Sequence, residues 1–270
     1  MTVQAPVVVV YGFTLSPHEY NALWRRLDAG PKPLVLDTPD HGETLDDQAM
    51  LDRQAWEQLA QRGLVSGTKP TPDVEDVLLT LARPQVEADL RLRSGPNRTL
   101  RALACSAGSL AVVAVLTEDG GLRIEPARPT GLGEALVSQI PDHPAARGHS
   151  ISLPAEVFAG QPVLPEQARN LLVEHGVRPQ DATVFAEMLR GRKSRDAKIG
   201  AAARDRMGRR HRAPMVITVM DTEGGRCTLR QQPAPDGRGW ITVTPVDRPR
   251  LIYQVNELIT SVVKEHQPAW

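Results

Sequence analysis

Few side chains in this sequence have the types and spacing that catalysis needs. The segment CSAGSL at Cys105–Leu110 loosely resembles the G-x-S-x-G turn that presents a nucleophilic serine, but it lacks the first glycine. Small residues at the end of a strand, before a turn, explain this segment better. Thr130–Gly133 contains two glycines without the spacing of a phosphate-binding loop, and we interpret it as the entry to a helix. The sequence therefore predicts no catalytic residue.

Metal ligands are also poorly organised. Asp40–Glu43 (DHGE) offers potential ligands, but no second histidine follows at H-x-x-x-H spacing, and a solvated loop is the better interpretation. Cys105 and Cys227 are far apart and outside any C-x-x-C pattern, which gives no support for a zinc site or a disulfide framework. Both cysteines fall in predicted strands, where we expect them to pack as small apolar residues. We expect neither a metal nor a cofactor.

A basic stretch raises the question of nucleic-acid binding. Residues 191–214 hold nine Arg or Lys and two Asp. No Phe, Tyr or Trp lies between Phe185 and Trp240 to stack on bases, so such a surface would contact phosphate without reading sequence. A solvated hairpin, or a surface for an acidic partner at its edge, is the preferred interpretation.

Composition gives the whole molecule no electrostatic attraction to nucleic acid or membrane. The 270 residues are 41 % hydrophobic, enough for one large core or two coupled smaller ones, and 32 basic residues balance 32 acidic ones. Arg outnumbers Lys 27 to 5, a bias that a GC-rich genome produces, so an Arg cluster carries less functional weight here. The N-terminus lacks a signal-peptide pattern, and the longest apolar run is far below the roughly 20 residues that span a bilayer. We expect a cytoplasmic protein without a membrane partner.

Residues 1–141 read as helices followed by strands. Val7–Val10 and Leu34–Leu36 are predicted strands, and Ser16-Pro17 and Thr71-Pro72 are helix starts. After residue 84 the hydrophobic period changes from 3.6 to 2, and four strands are predicted at 86–92, 100–104, 110–116 and 122–125. Thr130 is expected to cap a short helix.

The same order of elements follows in the rest of the chain. Residues 142–164 are rich in Pro and Gly and are predicted to be a connector. Residues 165–270 then give two helices, four strands at 195–204, 212–220, 226–231 and 240–243, and a closing helix at about 246–264. We predict a single α+β domain with a central antiparallel sheet, flanking helices and two quasi-symmetric halves, 1–141 and 165–270.

Several local motifs, in this order, resemble the EspG family of ESX (type VII) secretion chaperones. The motifs are LARPQVEADLRLRSGPNRTLRAL at 81–103, SISLP at 150–154, HGVRPQDATVFAEMLRG at 175–191, DTEGGR at 221–226 and DGRGWITVTPVD at 236–247. Each motif is weak alone, and together they are fairly specific. The resemblance implies a two-subdomain fold around an antiparallel sheet.

The resemblance also implies recognition without catalysis. EspG-type proteins bind the helical tip of the PPE subunit in a PE–PPE heterodimer, keep the pair soluble and hold it ready for secretion. The ESX secretion machinery is a further potential partner. An apolar bundle tip would otherwise self-associate, which is the physical reason for covering it.

The resemblance places the partner surface on the first hairpin loop and on the second half. The loop residues are Ser94, Gly95, Pro96, Asn97 and Arg98, and on the strands of the second half we select Ile199, Ala201, Val216 and Thr218. Periodicity does not say which sheet face is covered, so a place in the core stays open for the apolar ones. Family members often carry two aromatic residues before the loop, where this chain has Arg91-Leu92-Arg93. This departure implies a different PE–PPE pair, or a related substrate in a genome with few such pairs.

Two other classes of function stay open at this point. A nucleic-acid or acidic-surface binding protein would use the basic hairpin at 190–212, and its binding to DNA would depend on salt. An enzyme would need a deep pocket with converging titratable groups.

Overall fold

The computed structural model describes residues 12–39, 42, 44–158, 165–233 and 239–266. The α-helices within these ranges are α1 (Pro17–Leu27), α2 (Leu45–Gln61), α3 (Pro72–Ala82), α4 (Leu132–Val137), α5 (Pro165–Glu174), α6 (Pro179–Met188) and α7 (Arg248–His266). The strands of the first half are β1 (Phe13–Leu15), β2 (Val65–Ser66), β3 (Lys69–Pro70), β4 (Val86–Arg93), β5 (Thr99–Ala107), β6 (Leu110–Leu116) and β7 (Leu122–Pro126). The remaining strands are β8 (Ile151–Pro154), β9 (Arg195–Arg204), β10 (Arg210–Arg212), β11 (Ile217–Thr222), β12 (Gly225–Pro233) and β13 (Gly239–Pro245).

One large antiparallel sheet organises the chain. Its strand order is β1-β7-β6-β5-β4-β9-β11-β12-β13-β8, and β10 pairs with the end of β9. The small β2–β3 hairpin is separate. The central pair is β4 with β9, in register from Val86 opposite Ala203 to Arg93 opposite Asp196. The prediction of an α+β fold with a central antiparallel sheet is confirmed.

Alternation along the central strands separates two very different faces. Leu90 of β4 and Ile199 of β9 lie opposite each other and are fully buried in a core with Leu136 of α4 and Val255 of α7. We call this the closed face. The intervening residues point the other way, because successive side chains of a strand alternate between faces. We call that side the open face.

Two groups of helices pack on the open face, with a gap between them. Helices α1, α2 and α3 cover β5 to β7, where Leu103 and Cys105 are buried among them. Helices α5 and α6 cover β12, β13 and β8, around Phe185 and Cys227. Helices α4 and α7 lie on the closed face, so no helix of the described chain packs across the open face of β4 and β9.

The local signals for the first helix are reproduced by the structure. The Ser16 hydroxyl accepts a hydrogen bond from the Glu19 backbone N–H (3.2 Å), and the Glu19 carboxylate accepts one from the Ser16 N–H (2.7 Å). This reciprocal capping box satisfies two N–H groups at the helix start. Tyr20, Leu23 and Trp24 of this helix face the core.

Several predicted elements differ from the structure. Leu34–Leu36 forms a turn, because Leu36 N–H bonds back to Pro33 O and has no neighbouring strand. Thr130 does not cap α4, which begins after a short 3-10 turn at Pro129–Gly131. The segment predicted as a connector contributes strand β8, paired with β13. The predicted strand at Val7–Val10 lies outside the described residues.

A buried ion pair holds the chain against the sheet just before this connecting segment begins. Arg226 and Asp221 are each 1 % exposed, and the Arg226 guanidinium donates to both carboxylate oxygens of Asp221 at 2.7 and 2.9 Å. Arg226 also donates to Pro141 O at 2.7 Å, and Arg195 donates to Asp221 at 2.8 Å. Burial alone would raise the pKa of Asp221, but the hydrogen bonds from Arg226 and Arg195 outweigh it and lower the pKa below its ordinary value.

Removing the buried cation should destabilise the chain strongly. We expect Arg226→Met to lower the free energy of unfolding by about 3 kcal/mol or more, because Asp221 loses its main partner while it stays buried. Urea unfolding at neutral pH measures the change. Arg230→Met on the same strand is the control. Its ion pair with the half-exposed Glu257 is long, 3.9 Å, so we expect a loss of about 1 kcal/mol or less. Equal losses in the two variants would contradict this role for Arg226.

Candidate functional site

The predicted loop at residues 94–98 is the turn between β4 and β5. Ser94 N–H donates to Arg98 O at 2.9 Å, which closes the turn, and Pro96, Asn97 and Arg98 are exposed. Arg98 forms an ion pair with Glu118 at 3.2 Å, but both side chains are about three-quarters exposed, at 73 and 75 %. The side chains of this loop are therefore accessible to another protein.

The base of the loop is held more firmly. Arg93, the last residue of β4, donates to both carboxylate oxygens of Asp196 on β9 at 3.0 and 3.1 Å. Such a two-point contact fixes the orientation of the guanidinium group as well as its distance. The loop thus extends from the end of the central strand pair, with exposed side chains at its turn and a fixed base.

An open cleft occupies the gap between the two helix groups. It has a volume of about 710 Å³, and its floor is formed by the open face of β4 and β9, including Asp89, Arg91, Lys198 and Gly200. Residues 29–35 and 81–84 form one wall, and β10 and the segment before β11 form the other. We call this cavity the central cleft.

Exposed apolar side chains stand on both sides of the central cleft. Leu34 is 75 % exposed on one side, and Val216 is 37 % exposed on the other. Leu34 and Arg91 also line a second groove of about 800 Å³ that continues to Asn97 and Arg98 of the loop. The loop and the cleft are therefore parts of one continuous surface.

The structure separates the four strand residues selected from the sequence. Val216 lines the central cleft, and the half-buried Thr218 pairs with Lys198 on the open face. Ile199 and Ala201 are fully buried on the closed face, in the core that α7 covers. The structure does not support placing these two on the partner surface, because their strand parity directs both side chains into the closed-face core. The alternative left open by the sequence for the apolar residues, a place in the core, is what the structure shows for both.

The residues of β9 that line the cleft alternate with Ile199 and Ala201 and were not selected from the sequence. Lys198 and Gly200, one position before each of the selected residues, line the central cleft together with Arg91. Their only signal in the sequence is that polar and small residues alternate with the apolar ones. Leu34 was missed because it was assigned to a strand, whereas a turn exposes it.

The basic hairpin that suggested nucleic-acid binding is partly neutralised. Arg212 of β10 forms an ion pair with Asp89 at 2.7 Å, and Arg210 forms one with Glu87. The absence of a side chain at Gly200 makes room for this arrangement, because a Cβ there would lie 2.2 Å from the Arg212 guanidinium. These arginines therefore stabilise the sheet, and because their charges are paired they attract phosphate less strongly than unpaired arginines would.

The candidate chemical residues have structural places. Cys105 and Cys227 are buried, and desolvation raises the pKa of both thiols, that of Cys227 to about 12, so neither forms a thiolate at neutral pH. Gly108 and Ser109 of CSAGSL form the turn between β5 and β6, with Gly108 at φ +59°. Asp40, His41 and Glu43 lie outside the described residues.

Two further observations concern metals and membranes. Across the ranges that the structure describes, no three His, Cys, Asp or Glu side chains converge as a metal site would require. None of the helices within those ranges is both long and apolar enough to cross a membrane.

The two faces of β9 should respond differently to truncation. We expect Ile199→Ala to lower the free energy of unfolding by about 2–5 kcal/mol, because it opens a cavity in the closed-face core. Val216→Ala should change it by about 1 kcal/mol or less, because Val216 is partly solvated at the cleft. Chemical denaturation of both variants measures the difference. A small loss for Ile199→Ala would mean that β9 has its faces reversed.

Comparison with known proteins gives one consistent result. The sequence model of the EspG family matches residues 16–257. The ESX-3 secretion-associated protein EspG3 of Mycolicibacterium smegmatis (strain ATCC 700084 / mc(2)155) is 28 % identical over 248 residues, which are 87 % of this chain and 82 % of that protein.

A solved structure has the same fold. It is the Mycobacterium tuberculosis type VII secretion system chaperone EspG5, in complex with a PE25–PPE41 dimer. The two chains superpose with a TM-score of 0.70 at 15 % identity, over 93 % of this chain and 96 % of the other. At that identity the likeness concerns the fold.

Proposed function

Because the chain belongs to the EspG family, we propose that it is a secretion chaperone that binds the helical tip of a PPE protein in a PE–PPE heterodimer. It acts in the cytoplasm, keeps the pair soluble and holds it ready for an ESX type VII system. The observation that carries the proposal is the continuous surface formed by the central cleft and the 94–98 loop. The halves 1–141 and 165–270 act together as one domain.

The shape of this surface suits the end of a helical bundle. The cleft is open, is bounded by two helix groups and has the apolar side chains of Leu34 and Val216 at its edges. Such side chains can cover exposed apolar residues of a bundle tip, which would otherwise drive self-association. The floor is charged, so the free chaperone stays hydrated when no partner is bound.

Binding without catalysis fits the chemistry of the site. The thiols are buried and protonated, and the carboxylates that line the central cleft, Glu87 and Asp89, are paired with Arg210 and Arg212. These ion pairs hold the strands in place. Because both carboxylates are paired, neither is free to act as a general base that activates a nucleophile.

Co-expression tests the proposal directly. We expect one PE–PPE pair encoded in the same genome to co-purify with this chain as a complex with one copy of each, measured by size-exclusion chromatography with light scattering. Replacing Pro96, Asn97 and Arg98 with Gly and Ser should abolish the complex without unfolding the chain, since the loop is exposed.

The matched control changes a turn at the other end of β9. Arg206 and Met207 lie in the exposed turn between β9 and β10, and Met207 is 77 % exposed. Replacing these two residues with Gly and Ser should leave the complex intact. If every pair elutes apart from the unmodified chain, the proposed function is wrong. If both turn variants lose the complex equally, the 94–98 loop has no specific role.

A further inference from the structure

Three basic residues lie side by side across the floor of the site. In the register of the sheet, Arg101 of β5 is opposite Arg91 of β4, and Arg91 is opposite Lys198 of β9. Directly opposite residues of antiparallel strands project from the same face, so all three belong to the open face. Thr218 of β11 continues the row next to Lys198. We call Arg101, Arg91 and Lys198 the cationic row.

Among the described residues, the neighbouring charges on the same face form ion pairs, whereas those of the cationic row do not. Two residues along β4 in one direction, Arg93 contacts Asp196, and two residues in the other, Asp89 contacts Arg212. In the described part of the chain, neither Arg91 nor Lys198 forms an ion pair. Both side chains are exposed and therefore accessible to a partner. Arg101 donates to the backbone oxygen of Asp37 at 3.2 Å, and the Asp37 side chain lines the outer groove.

The cationic row is a local departure from the way this sheet arranges charge. Like charges directly opposite each other on adjacent strands destabilise a sheet, whereas opposite charges stabilise it. The chain satisfies this rule at the neighbouring pair of Arg93 with Asp196 and violates it twice within the row. An anionic group placed over Arg91 and Lys198 would relieve both repulsions.

We propose that the partner's docking tip carries a carboxylate side chain that binds over Arg91 and Lys198, with apolar residues beside it that contact Leu34 and Val216. This inference rests on the proposed function and specifies the chemistry of the partner. Charge complementarity fixes the register of the tip in the central cleft and increases the rate of association.

The surroundings favour an acidic protein tip over nucleic acid. Glu87 and Asp89 line the same cleft, and Asp37 lines the adjoining groove. A phosphate backbone extends its negative charge over many positions and would approach these carboxylates, whereas one or two carboxylates on a compact tip would meet only the cationic row.

Reversing one charge tests the row in two ways. Arg91→Glu converts two like-charge cross-strand pairs into two opposite-charge pairs. We expect the free chain to unfold at a temperature about 2–4 °C higher than the unmodified chain, by differential scanning calorimetry. The same variant should bind the cognate PE–PPE pair at least about tenfold more weakly, because the carboxylate of the tip now meets a second carboxylate and not a cation.

Arg128→Glu is the control, since Arg128 is an exposed arginine just before α4, the helix that covers the closed face. It should change neither the unfolding temperature nor the affinity by a comparable amount. Scanning each acidic residue at the partner's tip to Lys should identify one that restores binding to the Arg91→Glu chain.

The possible results are distinguishable. Equal binding of the cognate pair by the unmodified and Arg91→Glu chains would overturn this inference and leave the proposed function intact. An unfolding temperature that does not rise would overturn the claim that the row is electrostatically unsatisfied. Capture of a 20-base-pair DNA duplex that Arg91→Glu abolishes would replace the acidic tip with phosphate. Failure of the unmodified chain to bind any pair would overturn the proposed function, and the inference with it.

Discussion

The antiparallel pairing of β4 with β9 is the contact on which the rest of the structure depends, because it is where the strands that precede residue 141 meet those that follow residue 165. One side of this pair carries Leu90 and Ile199 into the closed-face core under α4 and α7. The other side carries the charges of the central cleft. The same hydrogen-bonded ladder therefore holds the molecule together and forms the floor of its candidate binding site.

The charge pattern explains why the cleft stays open. Covering a charged floor with helices would require every charge to be paired, because an unpaired buried charge is costly. Helix groups pack instead on β5 to β7 and on β12, β13 and β8, where residues such as Leu103 and Cys227 are apolar. The gap between the groups is thus set by the polar residues of β4 and β9. The candidate binding surface lies where the chain's own helices do not cover the sheet.

Sequence reasoning predicted most elements of the fold, but it did not predict which face of the central strands stays open. Period-2 patterns located β4 and β9, and cap signals located α1 and α3, because these are local features. The loop at 94–98 stays a prediction and is exposed, whereas Ile199 and Ala201 are buried and their neighbours Lys198 and Gly200 line the cleft. Periodicity gives the alternation of a strand and not which face a helix will cover, since that depends on distant α7. Strand β8 was missed because its pairing with β13 is equally distant in sequence.

A binding surface that has to release its partner benefits from containing charged residues. An apolar site of the same size would gain affinity from burial alone and would also attract other apolar surfaces, including its own copies. The central cleft instead places Leu34 and Val216 around a charged floor whose fixed ion pairs, such as Asp89 with Arg212, keep the geometry while the cationic row stays unpaired. In the proposed complex, the apolar edges supply part of the binding energy, and the cationic row restricts binding to a tip with the complementary charge. Selectivity in the proposed complex comes from a repulsion that the free sheet tolerates and that an acidic partner relieves.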